Sequence, residues 1–151
     1  MKFKCSIEIN LPQTAVFNLY SDIKYLDKWQ SGFESKVPLS GQTGTIGSKA
    51  KLTYSGNKDR IELIETILAY EKPNLIDALY EHKHMVNTMK SHFIVLDPDK
   101  TLIEVEIHYI KFNGFIPKLM SLITPGFFKK QVQNNLNNFR LFTHKIIISG
   151  L

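Results

Sequence analysis

Five histidines, His82, His84, His92, His108 and His144, are the side chains of this sequence best suited to proton transfer near neutral pH. His82 and His84 stand two apart on a stretch that reads as a strand, hence on one face, and that spacing suits a pair of metal ligands. No cysteine or carboxylate is placed to complete the set, so no metal is expected, and His92 and His108 are expected to face solvent. With the apolar parity of residues 75–83 turned inward, Ile76, Ala78, Tyr80 and His82 line one wall. His82 with Tyr80 or Tyr109 is then a candidate acid–base pair for a bound ring or carbonyl. The same histidine equally fits a partly solvated strand end that does no chemistry. Glu65 is a further polar intruder between Leu63 and Ile67, and Cys5, the single cysteine, sits among inward apolar positions where it packs more readily than it reacts. Nothing forms a Ser-His-Asp set, a Gly-rich phosphate loop or a dinucleotide fingerprint, and no cofactor is expected.

The element that must position such groups is the last third of the chain, residues 115–151. Phe128, Val132, Phe139, Phe142 and Ile146 fall in one helical stripe, and Lys130, Gln133, Asn137 and Arg140 lie opposite, which predicts a long amphipathic helix. Asn135 sits at the centre of the apolar stripe, where a buried amide needs a partner. That partner is either the backbone of a neighbouring segment or a trapped water, or else a ligand for which Asn135 is the polar anchor. Thr124 and Pro125 read as the helix's N-cap and first-turn proline, leaving residues 117–123 as a separate short piece. Phe115, Ile116, Leu119, Met120, Leu122 and Ile123, flanked by Lys111, Lys118, Lys129 and Lys130, suit a lid over a cavity or a peripheral contact with an anionic membrane.

At the other end, Phe3, Cys5, Ile7, Ile9 and Leu11 alternate with Lys2, Lys4, Ser6, Glu8 and Asn10, which is a strand with one face in the core. Pro12 ends it and opens a helix carrying Val16, Phe17, Leu19 and Tyr20; Ser21 and Asp22 suit the cap of a second short helix with Ile23, Leu26 and Trp29 on one side. Residues 33–70 read as strands divided by Ser40-Gly41, Gly44, Gly47 and Ser55-Gly56-Asn57. Residues 60–70 alternate poorly, with Ile64 and Leu68 on one parity and Ile61, Leu63 and Ile67 on the other, so their faces stay unassigned. After the Lys72-Pro73-Asn74 turn come strands over 75–83, 87–96 and 102–112. The last two form a hairpin that turns Met89, Ser91, Phe93 and Val95 inward, opposite Ile107, Val105 and Ile103. The same hairpin turns Lys90 and His92 outward, opposite His108 and Glu106.

A chain of 151 residues with ordinary apolar content suits one domain, 1–151, burying about 70% of its unfolded surface. The lone cysteine excludes an internal disulfide and the first residues lack a secretory pattern, so a cytoplasmic protein is expected. The net charge of +5 gathers beyond Glu106, after which no acidic residue occurs. Its density is too low, and too free of interleaved aromatics, for a nucleic-acid surface.

The resulting order, a strand, two short helices, about six further antiparallel strands and one long helix, is an α+β arrangement in which a curved sheet folds around a helix and leaves a space. In this order and spacing the chain resembles the START-like (SRPBCC) superfamily, and is most similar to its polyketide cyclase/dehydrase branch. The resemblance rests on Leu11-Pro12, Val16-Phe17, Ser21-Asp22, Trp29, Gly44 and Gly47, Tyr70-Glu71-Lys72-Pro73, and Leu136 with Phe139. It implies a helix-grip fold of about seven strands with a hydrophobic cavity between sheet and helix. Members bind lipids, sterols, polyketides and hormones, and only some are enzymes of the cyclase, aromatase or dehydratase type. The expected partner is a small hydrophobic ligand, and the expected lining is drawn from Trp29, Phe33, Tyr54, Tyr80, Phe93, Tyr109, Met120, Phe128 and Asn135, most of which would also serve as plain core.

Overall fold

The structure is a computed structural model, and it describes residues 1–56, 59–113 and 126–150. Seven strands form one antiparallel sheet: β1 (Lys2–Ile9), β2 (Phe33–Ser40), β3 (Lys49–Ser55), β4 (Arg60–Glu71), β5 (Leu75–His82), β6 (Met85–Asp97) and β7 (Lys100–Phe112). Their order is β1-β7-β6-β5-β4-β3-β2, so β1 and β2 are the edges of an unclosed sheet. Between β1 and β2 lie α1 (Gln13–Ser21), a 3-10 turn (Ile23–Tyr25) and α2 (Leu26–Trp29); the long helix α3 (Gly126–Ser149) follows β7. Pro12 is the residue before α1, with the Val16 N–H donating to its carbonyl, and Asp22 caps the 3-10 turn by accepting from the Lys24 N–H at 3.1 Å. Ser21 instead donates back to the Phe17 carbonyl within α1. Gly150, at φ +75°, ends α3 in the left-handed conformation glycine adopts without a Cβ penalty. The cap expected at Thr124 and Pro125 lies outside the described residues.

In the β6–β7 hairpin the inward pairs stand as expected, with Met89 against Ile107, Ser91 against Val105 and Phe93 against Ile103. The outward pairs sit two residues along from the expected ones: Lys90 meets Glu106 and His92 meets Glu104. Val95 corrects the expectation: it keeps the register, pairing with Thr101, but lies at the hairpin end where Ile94 and Leu96 are exposed with it. A bulge leaves Ile110 unpaired and exposed as β7 passes from Lys111 to Tyr109. On the outer face of the sheet Lys4 bonds Glu106 at 3.1 Å, holding that carboxyl below its ordinary value, with His92 adding to the effect.

Two bulges explain why β2 and β4 do not alternate. In β4, Ile67 pairs with Ala78 and Ala69 with Asp77, so Leu68 is an extra residue. Upstream of it the odd positions face inward and downstream the even ones do, which puts Ile61, Leu63, Glu65, Ile67 and Tyr70 on one concave face. In β2 the shift falls between Phe33 and Ser35, after which Lys36 and Pro38 turn inward while Val37 and Leu39 face solvent.

The packed core occupies one half of the sheet. Cys5, Ile7, Ile9, Phe93, Ile103, Val105 and Ile107 from β1, β6 and β7 meet Val16, Phe17 and Tyr20 of α1, Leu26 and Trp29, and Leu136 and Phe139 of α3. At its centre Tyr20 stacks on Trp29, with ring centroids 4.8 Å apart, and meets Phe93 and Phe139 edge-on at 5.1 and 5.4 Å. The helices thus rest on β1, β6 and β7, and the concave face of β3, β4 and β5 is left to a cavity.

Candidate functional site

The cavity has a volume of about 830 Å³. Its roof is α3, through Phe128, Val132, Asn135 and Leu136; one end is α2 and the 3-10 turn, through Ile23, Leu26 and Trp29; its floor is the sheet. Across that floor runs one transverse row, Pro38–Ala50–Glu65–Tyr80–Asn87–Tyr109, each residue paired with the next on the neighbouring strand, and all six line the cavity. Leu52, Leu63, Ile67, Ile76, Met89 and Ile107 make the rest of the floor apolar.

The polar groups gather toward β2–β5. Lys36 pairs with Leu52 on β3, and its side chain crosses β3 to reach Glu65 Oε1 on β4 at 2.8 Å. Only 18% of the lysine side chain and 8% of the glutamate side chain are exposed, so this is a buried ion pair. The Tyr80 hydroxyl donates to the other carboxylate oxygen, Oε2, at 2.8 Å. Beside them the Tyr54 hydroxyl donates to Gln30 Oε1 at 2.8 Å, and deeper in the cavity Tyr20 and Ser91 share a buried hydrogen bond of 3.0 Å. Burial pushes the Tyr80 phenol well above its ordinary value, with the Glu65 charge adding to it; burial likewise raises Tyr54, lifts Tyr20 to about 12 and lifts Tyr109 to about 12. All four phenols therefore keep their protons at neutral pH. Of these, Tyr80 and Tyr54 are hydrogen-bond donors, to Glu65 and Gln30.

Among the expected lining residues, Trp29, Tyr54, Tyr80, Tyr109, Phe128 and Asn135 do border the cavity. Phe33 packs beside Tyr54 at the edge of the core, and Phe93 is buried under Phe17 and Tyr20; neither borders the cavity. Met120 lies outside the described residues, as does the segment read as a lid or membrane contact. Asn135 is half-buried, and its Oδ1 accepts from the Ser31 N–H at 3.2 Å. Its partner is thus loop backbone, while the buried centre of the helix stripe is Leu136. His82 borders the cavity at the end of β5, and burial, with His84 and Lys83 nearby, holds it below the ordinary histidine value. Its Nδ1 accepts from the His84 N–H at 3.2 Å, which places the proton of the neutral ring on Nε2. His84 belongs to the turn after β5 and not to the strand, so the two histidines do not share a strand face. Among the described residues no three His, Cys, Asp or Glu side chains gather as a metal site.

Lys36 is the site residue that sequence reasoning missed, since its parity depends on the β2 bulge. Glu65 was visible only as a polar residue among apolar ones. Trp29 carries an indole N–H that is buried without a partner among the described residues, a signal that exists only in three dimensions.

No family model matches the sequence, and no curated protein matches it. Solved structures do share the architecture. The Zhui aromatase/cyclase from a Streptomyces species superposes with a TM-score of 0.78 at 10% identity, covering 97% of this chain and 95% of that one. Norcoclaurine synthase from Thalictrum flavum, in complex with dopamine and hydroxybenzaldehyde, gives 0.68 at 13% identity, over 96% of this chain and 87% of that one. A START superfamily protein from Mycobacterium smegmatis gives 0.64 at 14% identity, over 90% and 97%. With the sheet, the two short helices and the long C-terminal helix in the same arrangement, this chain shares the helix-grip fold of these structures, the fold that the START-like resemblance implies.

Proposed function

We propose that this protein binds a small, largely apolar molecule in the cavity between sheet and α3. The observation that carries it is the cavity of about 830 Å³, floored by aliphatic side chains, roofed by Phe128, Val132 and Leu136, and provided with one compact polar group of residues at Lys36, Glu65 and Tyr80. That combination, apolar walls with a few convergent polar groups, is how small-molecule sites are built. The similar architecture of an aromatase/cyclase and of norcoclaurine synthase allows turnover on this scaffold, with His82 and Tyr80 or Tyr109 as the groups to carry it. The local hydrogen bonds support binding over turnover: the Tyr80 hydroxyl is committed to Glu65, and the accepting nitrogen of His82 is engaged by the His84 backbone.

The test is native mass spectrometry of the protein purified from its host, followed by titration with N-phenyl-1-naphthylamine, a neutral fluorescent probe. A co-purified small molecule, or saturable probe binding that Leu136→Trp blocks by filling the roof, is the expected result. Absence of both in the folded protein would remove the proposal.

A further inference from the structure

The cavity's polar end has a direction. Glu65 uses one oxygen for Lys36 and the other for the Tyr80 hydroxyl, and the Tyr54 O–H is taken by Gln30 Oε1. A lysine ammonium has three donors and no acceptor, and among the described residues only one Lys36 N–H has a partner. Gln30, which borders the cavity, has given its carbonyl to Tyr54 and keeps its NH2 donors; the indole N–H of Trp29, which also borders the cavity, is buried without a partner among the described residues. Lys36, Gln30 and Trp29 thus offer an incoming molecule N–H donors, with the Asn87 amide beside Tyr80 able to donate or accept, and buried donors left unmade are costly.

Resting on the proposed binding function, we infer that the ligand is an apolar molecule whose polar end is an acceptor oxygen, a carboxylate or a carbonyl, seated on the Lys36 ammonium, with its hydrocarbon part lying toward Ile67, Met89 and Ile107. An amine or ammonium head group would bring further donors to a site whose only carboxylate among the described residues, Glu65, is already engaged twice. The Lys36–Glu65 pair is the recognition element because Glu65, bonded to Tyr80, fixes the lysine head in the cavity while leaving two of its protons to the ligand. Lysine orients here as a compact charge on a long stem, and without Glu65 that stem would reach for water.

The test compares three naphthalenes of one ring system as competitors of N-phenyl-1-naphthylamine: 2-naphthoate, 2-acetonaphthone and 2-naphthylmethylamine. The acid, the ketone or both should displace the probe at concentrations about tenfold or more below the amine, the scale of one hydrogen bond to a charged group. A win for the acid alone assigns a carboxylate; equal performance assigns a carbonyl. Lys36→Met/Glu65→Gln, which removes both charges and keeps an acceptor for Tyr80, should lose the ranking, so that the acid, the ketone and the amine compete alike whatever the probe's own affinity for that variant. An amine that competes as well as the others, or a ranking that survives Lys36→Met/Glu65→Gln, overturns the inference. Failure of the neutral probe to bind the unaltered protein would instead remove the binding function itself, and this inference with it.

Discussion

Lys36 owes its place inside the protein to a pairing slip of one residue, and its stability consequences follow from the partner it finds there. Removing one member of a buried ion pair leaves the other charged and poorly solvated, which costs about 3–5 kcal/mol. Lys36→Met should therefore cost an amount within that range, because the charge it leaves unpaired, Glu65, has only 8% of its side chain exposed. Lys36→Met/Glu65→Gln should recover most of the loss, since no unpaired charge remains and the glutamine amide oxygen still accepts from Tyr80. Urea denaturation of the three proteins measures both numbers, and a double variant as unstable as Lys36→Met would mean that the pair's geometry, not its charge, matters. The sequence offered only half of this arrangement. Glu65 stood out as a carboxylate among apolar residues, but Lys36 looked like any surface lysine in a polar strand, and nothing local distinguishes the two cases.

At the scale of elements, α3 shows how much a helix period can say and where it stops. Phe128, Phe139 and Ile146 were legible as the buried face because 3.6-residue spacing is a property of the chain alone, and all three are buried. The centre of that face is nevertheless Leu136, with Asn135 turned toward the Ser31 loop, a rotation that depends on where α2 packs. Phe128 contacts Tyr109 at 4.8 Å and closes the cavity roof, so Phe128→Asp exchanges a buried ring for an unpaired carboxylate and should cost several kcal/mol. A thermal melt reads this directly, and an unchanged Tm would mean that the first turns of α3 do not hold the roof. Strands β2 and β4 tell the converse story. Their alternation is broken by bulges, and a bulge needs a partner strand to exist, so the inward faces of these two elements were not legible before the sheet was assembled.

For the molecule as a whole, the asymmetry between a packed half and a hollow half governs both titration and ligand response. His82 sits on the hollow side with its folded value lowered below 6.5, first by burial and then by the charges of His84 and Lys83. The folded state therefore binds the proton less readily than the unfolded chain does. Above 6.5 the group contributes nothing to the pH slope; as pH falls through 6.5 and then through the lower folded value, stability is lost, and it levels off once both states are protonated. Urea midpoints between pH 7.5 and 5 should show this decline, and His82→Asn should flatten it. Loss of stability from protonating Glu106 lies in a separate window below its ordinary 4.5, because its bond to Lys4 lowers it. A curve unaltered by His82→Asn would mean that other groups carry the decline. What the sequence by itself determined was the element order, the β1 and β7 faces, the amphipathic α3 and hence the fold, because those follow from periods of 2 and 3.6 residues that each segment carries alone. Only the tertiary structure decided that Lys36 meets Glu65, that Phe93 is core and not lining, that His84 leaves the strand, and that the hollow lies under β3–β5. Each of those depends on which strand lies beside which and where a pairing slips by one residue, and that is a relation between distant parts of the chain.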